Sequence, residues 1–147
     1  MIEPIITLGK KTVVAMVHLP ALPGSPDYDP EVGMNKILDA VVSDLEALQS
    51  GGVDAVMFGN EFDRPYVLKA PPEGLAAIAA VIGQVKSMIM VPFGVNYLWD
   101  PLATVALAVA TEANFAREIY TGLYASDMGL WAPDCAGAAR LRSSNGR

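Results

Sequence analysis

Hydrophobic residues along the chain follow two alternating patterns, short continuous apolar runs and longer stretches with helical spacing. The short runs predict strands at 13–18, 53–58, 89–95 and 114–119. Between the first and second runs, apolar residues recur every three to four positions, as in Met34, Ile37, Leu38 and Val41. This alternation is typical of parallel βαβ units, in which each strand is followed by a helix that packs on the sheet.

Capping residues and prolines bound the predicted helices. A Ser, Thr, Asp or Asn accepts a hydrogen bond from the first helical turn, and proline suits that turn because its missing N–H has no partner there. Gly51-Gly52 predicts the end of the first helix, and the third is predicted to run through Ala110. The predicted starts are Asp29-Pro30, Pro71-Pro72, Asp100-Pro101 and Asp134.

Parallel strands this apolar need cover on both faces, which leaves two architectures. One is a partial (β/α)8 TIM barrel with about four βα units, and the other is a small open sheet of the flavodoxin type with a different strand order. Periodicity alone favours the barrel only slightly.

Composition and net charge limit the classes of binding partner and the cellular compartments that fit this chain. The 147-residue chain is 52% hydrophobic with a formal net charge of −6, so we expect no binding to nucleic acid, whose phosphates an acidic surface repels. Cys135 is the single cysteine, which excludes an internal disulfide. Residues 1–4 show no secretory signal, and the apolar stretches at 75–95 and 102–110 are interrupted or too short to span a bilayer. We expect a cytoplasmic protein with no transmembrane segment.

Several motifs occur together in a fixed order and resemble the BtpA family. The resemblance is closest to the SgcQ-like branch of that family, on the evidence of Asn60-Glu-Phe, Leu98-Trp-Asp-Pro101 and Arg117-Glu-Ile. The resemblance implies a (β/α)8 barrel of the ribulose-phosphate-binding kind. It implies two competing roles, photosystem I biogenesis at the thylakoid membrane and, for the SgcQ-like branch, carbohydrate utilisation. The motifs are Val17-His-Leu-Pro-Ala-Leu-Pro-Gly-Ser-Pro26, Gly51-Gly-Val-Asp-Ala55, Asn60-Glu-Phe-Asp63, Pro92-Phe-Gly-Val-Asn96 and Tyr120-Thr-Gly-Leu-Tyr-Ala-Ser-Asp127.

The resemblance also implies that the chain matches only the front half of longer proteins. We expect residues 1–142 to form the N-terminal half of a TIM-barrel domain and residues 143–147 to be a tail outside the family pattern. Glu112 stands where the family usually has a glycine at the end of the third helix. Glu118-Ile119 replaces the Val-Asn that the broader family has after the arginine.

Functional groups in barrels gather at the carboxyl ends of the strands. That rule selects His18, Glu61 and Asp63 as predicted catalytic residues, because a histidine and carboxylates can transfer protons. Asn60, Asn96, Arg117 and Asp127 are the predicted substrate-binding residues, with Arg117 holding an anionic group.

Each candidate also has a structural interpretation. His18 could hydrogen-bond a loop carbonyl, Asn60 and Asp63 could serve as turn residues, and Asp100 could simply cap a helix. Arg117 could pair across the barrel with a carboxylate that follows the second strand. By strand alternation, Glu118 is predicted to point away from Arg117.

No tight spacing of ligands indicates a metal, and the chain lacks a P-loop, a dinucleotide fingerprint and a nucleophile elbow, so the cofactor is unknown. We expect an enzyme or binding protein for a small polar (phospho)carbohydrate, impaired by truncation. The alternative is a non-catalytic factor for membrane-complex biogenesis. Half a barrel leaves strand edges unpaired, so we also expect self-association.

Overall fold

The computed structural model describes residues 11–147, so the sequence expectation for residues 1–4 lies outside the described residues. Strands and helices alternate along the first three quarters of the chain. The elements are β1 Val14–His18, α1 Met34–Ser50, β2 Ala55–Gly59, α2 Pro72–Val85, a 3-10 turn Lys86–Met88, β3 Phe93–Asn96, α3 Pro101–Thr111, β4 Phe115–Ala116, β5 Tyr124–Ser126, β6 Gly129–Trp131 and α4 Cys135–Ser144.

The first four strands form one parallel sheet in the order β1-β2-β3-β4. Each strand therefore lies beside its neighbour in sequence, with a helix crossing between them. A flavodoxin-type sheet has a different order, in which the first strand lies between the second and third. The strand order excludes that alternative and confirms the parallel strand–helix alternation predicted from the sequence.

The helices cover one face of the sheet and bury the main core there. Val17 of β1, Phe58 of β2 and Val95 of β3 are fully buried on this face. Each aliphatic or aromatic side chain buried in this way contributes about 1.5–3 kcal/mol. The helices supply Ile37, Val41, Leu45, Ile78, Val81, Ile82, Val85 and Leu107 to the same core.

Two glycines leave positions without a side chain on the opposite, inner face of the sheet. A Cβ on Gly94 of β3 would overlap the ring of Phe115, and one on Gly59 of β2 would lie 3.4 Å from the Cε of Met16. The larger side chain of a neighbouring strand therefore covers each glycine.

Three predicted boundaries are wrong, each for a local reason. The first helix begins at Met34, because Asp29 Oδ1 accepts from the backbone N–H groups of Glu31 and Val32 and so closes a separate turn before it. The third strand begins at Phe93, after Pro92, which has no N–H for the ladder. The fourth strand has two residues where six were predicted.

The region after β4 contains a hairpin, where the sequence predicts neither a strand nor a helix. β5 and β6 form an antiparallel hairpin in which Tyr124 pairs with Trp131 and Ser126 pairs with Gly129. Gly129 has φ 94°, a conformation that glycine adopts without strain.

Two predicted caps are confirmed. The Asp100 side chain accepts from the Ala103 N–H at 3.0 Å, and the Asp134 side chain accepts from the Gly137 N–H at 2.8 Å. Among the helices of residues 11–147, none has the length and apolar character needed to cross a membrane.

Candidate functional site

Chemistry-bearing residues line up across the carboxyl edge of the sheet. His18 of β1 is in register with Gly59 of β2, and Gly59 is in register with Asn96 of β3. Arg117 continues this row beyond β4, since its backbone N–H donates to the Val95 carbonyl at 3.2 Å. Neighbouring strands lie about 4.8 Å apart, so the row brings residues far apart in sequence to one edge.

A cavity of about 230 Å³ opens at the β3–β4 end of this row. Asn96 is buried there, with 2% of its surface exposed. The cavity is lined by Asn96, Leu98, Trp99, Arg117, Glu118 and Ile119.

One hydrogen-bond network orders the polar groups of this cavity. Asn96 Nδ2 donates to Glu118 Oε2 at 2.7 Å, and the Trp99 backbone N–H donates to the same oxygen at 3.0 Å. With its amide nitrogen engaged, Asn96 turns Oδ1 toward Arg117, whose Nη2 lies 3.4 Å away. The network thus places a cation, an amide oxygen and a carboxylate around one small space.

The structure corrects the prediction that Glu118 points away from Arg117. β4 ends at Ala116, so strand alternation does not continue to residue 118, and both side chains line the same cavity. Arg117 contacts Asn96, not a carboxylate that follows β2. Glu118 is therefore a site residue outside the predicted catalytic and binding set. It follows the fourth predicted strand, but strand alternation excluded it by pointing its side chain away from Arg117.

Burial raises the pKa of the Glu118 carboxyl above its usual value. Hydrogen bonds from Ile119 N–H, Asn96 and Trp99 N–H, together with the charge of Arg117, oppose that rise without cancelling it. A carboxyl with a raised pKa can hold a proton in a pH range where ordinary glutamates are ionised. Such a group is suited to exchanging protons with a ligand.

Asn60 and Asp63 lie at the same edge but use their polar atoms within the protein. Asn60, with 3% of its surface exposed, accepts from the Leu98 N–H at 2.8 Å, which anchors the loop after β3. Asp63 accepts from the Leu22 N–H at 3.2 Å and from the Tyr97 hydroxyl at 3.3 Å. Burial, with Asp63 nearby, raises the pKa of the Tyr97 hydroxyl and keeps it a donor.

The remaining predicted residues do not line the cavity. The His18 ring meets Phe62 edge to face, with centroids 6.1 Å apart. Glu61 Oε1 accepts from the Tyr66 hydroxyl at 3.2 Å. Asp127 lies in the exposed turn of the hairpin, between Ser126 and Gly129.

Aromatic rings join the cavity to the hairpin. The Trp99 ring meets Trp131 of β6 edge to face, with centroids 5.4 Å apart, and lies 6.4 Å from the Tyr66 ring. Trp99 has φ 70°, which is unusual for a residue with a side chain. Among the buried side-chain nitrogen and oxygen atoms of residues 11–147, its Nε1 is the one without a hydrogen-bond partner.

A larger and more open space lies at the opposite, amino edge of the sheet, between α1 and the segment before β3. Its volume is about 500 Å³, and Gln49 bridges it by bonding the Met88 carbonyl at 3.0 Å and the Met90 N–H at 2.6 Å. The amino face of a barrel generally serves stability, so size does not make this space the better candidate. Across residues 11–147, no group of three His, Cys, Asp or Glu side chains is placed to hold a metal ion.

Comparisons with known proteins identify the family and the fold. A model of the BtpA family matches residues 9–146. The sgc region protein SgcQ of Escherichia coli K12 is 59% identical over 83% of this chain and 46% of its own length. An uncharacterized protein of Pyrococcus horikoshii is 34% identical over 92% of the chain and 52% of its own length. The photosystem I biogenesis protein BtpA of Synechocystis is 29% identical over 80% of this chain and 42% of its own length.

The chain spans about half the length of these curated relatives. A crystal structure of 7,8-dihydropteroate synthase from Vibrio fischeri, a TIM-barrel enzyme, superposes with a TM-score of 0.51 at 13% identity. That likeness covers 96% of this chain and 60% of the other. The fold is therefore that of a partial TIM barrel, with four parallel strand–helix units.

Proposed function

Because the chain belongs to the BtpA family, we propose that it binds a small, polar, phosphorylated carbohydrate metabolite in the cavity of Asn96, Arg117 and Glu118. The observation that carries the proposal is the convergence of these three side chains at the carboxyl edge of the sheet. That edge is where barrel proteins bind their ligands.

The chemistry of the three side chains matches such a ligand. An arginine offers charged N–H donors in the fork geometry that suits phosphate oxygens. Asn96 Oδ1 and Glu118 Oε1 are acceptors for sugar hydroxyls. A cavity volume of about 230 Å³ is below the range of roughly 300–1,000 Å³ for drug-sized ligands, which favours a ligand no larger than one sugar unit.

Proton transfer would come from groups along the same edge. His18 stands two strands from Asn96 in the same register, and Glu61 follows β2, so both belong to our proposal as acid–base residues. Asp63 completes the predicted catalytic set, and its bonds to Leu22 and Tyr97 suit it to holding the loops in place. Asp127 would reach a ligand only from the hairpin turn.

A thermal-shift screen of sugar phosphates at millimolar concentration tests the binding. A ligand at 100 times its Kd should stabilise the chain by about 2.7 kcal/mol, which raises the midpoint of unfolding by several degrees. Arg117→Ala should abolish the shift, whereas Arg140→Ala removes the same charge from the exposed part of α4 and should keep it. The absence of stabilisation by any sugar phosphate, or equal shifts in both variants, would contradict the proposal.

One observation favours a second candidate, a factor for membrane-complex biogenesis. The hairpin region exposes large apolar side chains, with Leu123 and Leu130 71% and 76% exposed. Exposed apolar patches often mark interaction surfaces. In flotation with thylakoid-like vesicles, this role predicts co-migration that Leu123→Ser with Leu130→Ser removes. Protein that stays at the bottom of the gradient would count against it.

Self-association is a further part of the proposal. Within residues 11–147, β1 and β4 each pair on one side only, and Val14 of β1 is 41% exposed. Two copies related by a two-fold axis along the barrel could place β4 of one beside β1 of the other, giving eight parallel strands. Light scattering should then give twice the monomer mass, and a clean monomer with a cooperative thermal transition would contradict this.

A further inference from the structure

Arg117 and Glu118 bring opposite charges to the cavity, and the two carboxylate oxygens of Glu118 accept different numbers of hydrogen bonds. Glu118 Oε2 already accepts two hydrogen bonds, from Asn96 and from the Trp99 N–H. Oε1 accepts one, from the Ile119 N–H at 2.8 Å. Because a carboxylate oxygen has two acceptor positions, Oε1 keeps one position for a proton or a ligand hydroxyl.

An incoming anion meets a conflict in this arrangement. Arg117 attracts it, but the ionised Glu118 beside Arg117 repels it and cancels much of that attraction. The carboxylate is also half-buried, so water screens the repulsion only in part. Removing the negative charge of Glu118 resolves the conflict, and one proton on Oε1 does so without breaking the bonds to Oε2.

We propose that the cavity takes up an oxyanion and a proton together, with the anion on Arg117 and the proton, drawn from solvent, on Oε1 of Glu118. The inference rests on the proposed function in one respect, that Arg117 holds the anionic group of the ligand. The neutral carboxyl then donates a hydrogen bond toward the anion or to an adjacent hydroxyl of the ligand.

Other titratable groups near Glu118 have distinguishable effects. Burial raises the pKa of Tyr120 above its usual value, so the Tyr120 hydroxyl stays neutral in the pH range in which Glu118 changes its charge. Cys135 acts electrostatically on Tyr120 and is not part of the cavity lining. His18 lies on the same row as Asn96, so it is the other ionisable side chain whose effect the experiment must separate from that of Glu118.

Sulfate is the probe, since its charge stays at about −2 from pH 4.5 to 8.5 and the protein alone titrates. Calorimetry on the wild-type chain should show affinity that weakens at least about tenfold as the pH is raised across this range. Glu118→Gln should bind sulfate with little pH dependence and about as tightly at pH 8 as the wild type does in acid. Arg117→Ala should lose binding at every pH.

A second measurement on the wild type makes the outcome independent of how well Glu118→Gln folds. Heats of sulfate binding in two buffers with different ionisation enthalpies give the number of protons taken up, expected to approach one per sulfate at a pH just above that at which the ligand-free carboxyl ionises. Sulfate binding without proton uptake, or a pH dependence that disappears in His18→Gln, would overturn the inference while leaving anion binding intact. If neither the wild type nor Glu118→Gln binds sulfate at any pH, the proposed function is overturned as well.

Discussion

Glu112 ends α3 in a left-handed conformation, with φ 60° and ψ 33°, which a side chain makes less favourable. Its carboxylate pairs with Lys86, which holds the pKa of Glu112 below its usual value. An exposed ion pair contributes little to stability, so relief of the backbone strain should dominate. We predict that Glu112→Gly raises the midpoint of thermal unfolding by a few degrees, measured by circular dichroism.

Glu112→Ala is the matched control for that variant. It removes the same ion pair but keeps a Cβ in the left-handed conformation, so it should be no more stable than the wild type. A glycine variant that melts with, or below, the alanine variant would show that strain at residue 112 does not limit stability.

Glu118 should make stability depend on pH in a defined direction. Its pKa is raised in the folded chain, so the folded state holds this proton more tightly than the unfolded state does. The stability that the protonated form contributes is present below the unfolded value of 4.5 and is lost as the pH rises through the raised pKa. Urea unfolding should therefore show the wild type losing stability relative to Glu118→Gln as the pH rises above 4.5 and through the raised pKa. A difference that stays constant over this window would contradict the assignment.

Single residues could be predicted from the sequence where the signal is local. Asp100 and Asp134 were recognised as caps because a cap needs only its own helix start. Glu118 was excluded from the predicted site by strand alternation, because the direction of its side chain depends on where β4 ends, and that end is set by pairing with β3. Asn60 remained ambiguous because its partner, the Leu98 N–H, is 38 positions away.

At the level of the elements, Gly94 fixes how β3 and β4 pack. The Phe115 ring occupies the place of its missing side chain, so Gly94→Ala forces two strands apart or turns the ring. We predict a loss of about 1–3 kcal/mol in the free energy of unfolding, measured in urea. Gly83→Ala is the control, because Gly83 lies in the exposed part of α2 with nothing within 4 Å, and it should gain roughly 0.5–1 kcal/mol. Equal effects at the two glycines would refute the packing argument.

Trp131 is the residue through which the hairpin of β5 and β6 docks on the cavity wall. It is 7% exposed and contacts the rings of Trp99 and Tyr124. We predict that Trp131→Ala speeds amide exchange in residues 124–131 at least about tenfold while the β1–β3 amides keep their protection. Leu130→Ala, at a side chain that is 76% exposed, should change neither. Uniform loss of protection would instead make Trp131 part of the global core.

The elements themselves differed in how far sequence predicted them. The first three helices and the first three strands have strong periodic patterns, and the structure contains all six. The hairpin was missed because the residues around Asp127 and Gly129 look like an ordinary polar loop. Its strands have three residues each, too few for an alternating pattern to stand out.

At the scale of the whole molecule, the parallel register of the sheet assembles the site. His18, Asn96 and Arg117 are separated by many residues in the chain, and the strand order brings them to one edge. The sequence predicted that shared edge, because any parallel βαβ series gathers its carboxyl ends on one side. It could not predict which part of the edge opens into a cavity, since that depends on loop packing around Trp99.

An NMR titration of the ¹⁵N-labelled chain with ribose 5-phosphate tests most directly whether the cavity at the ends of β3 and β4 is the binding site. We predict that the largest amide shifts fall at residues 96–99 and 117–119 and that Arg117→Ala removes them. Shifts centred instead on residues 46–50 and 88–90, which surround the space at the opposite edge, would contradict this placement. A spectrum that does not change at millimolar ligand would contradict it equally.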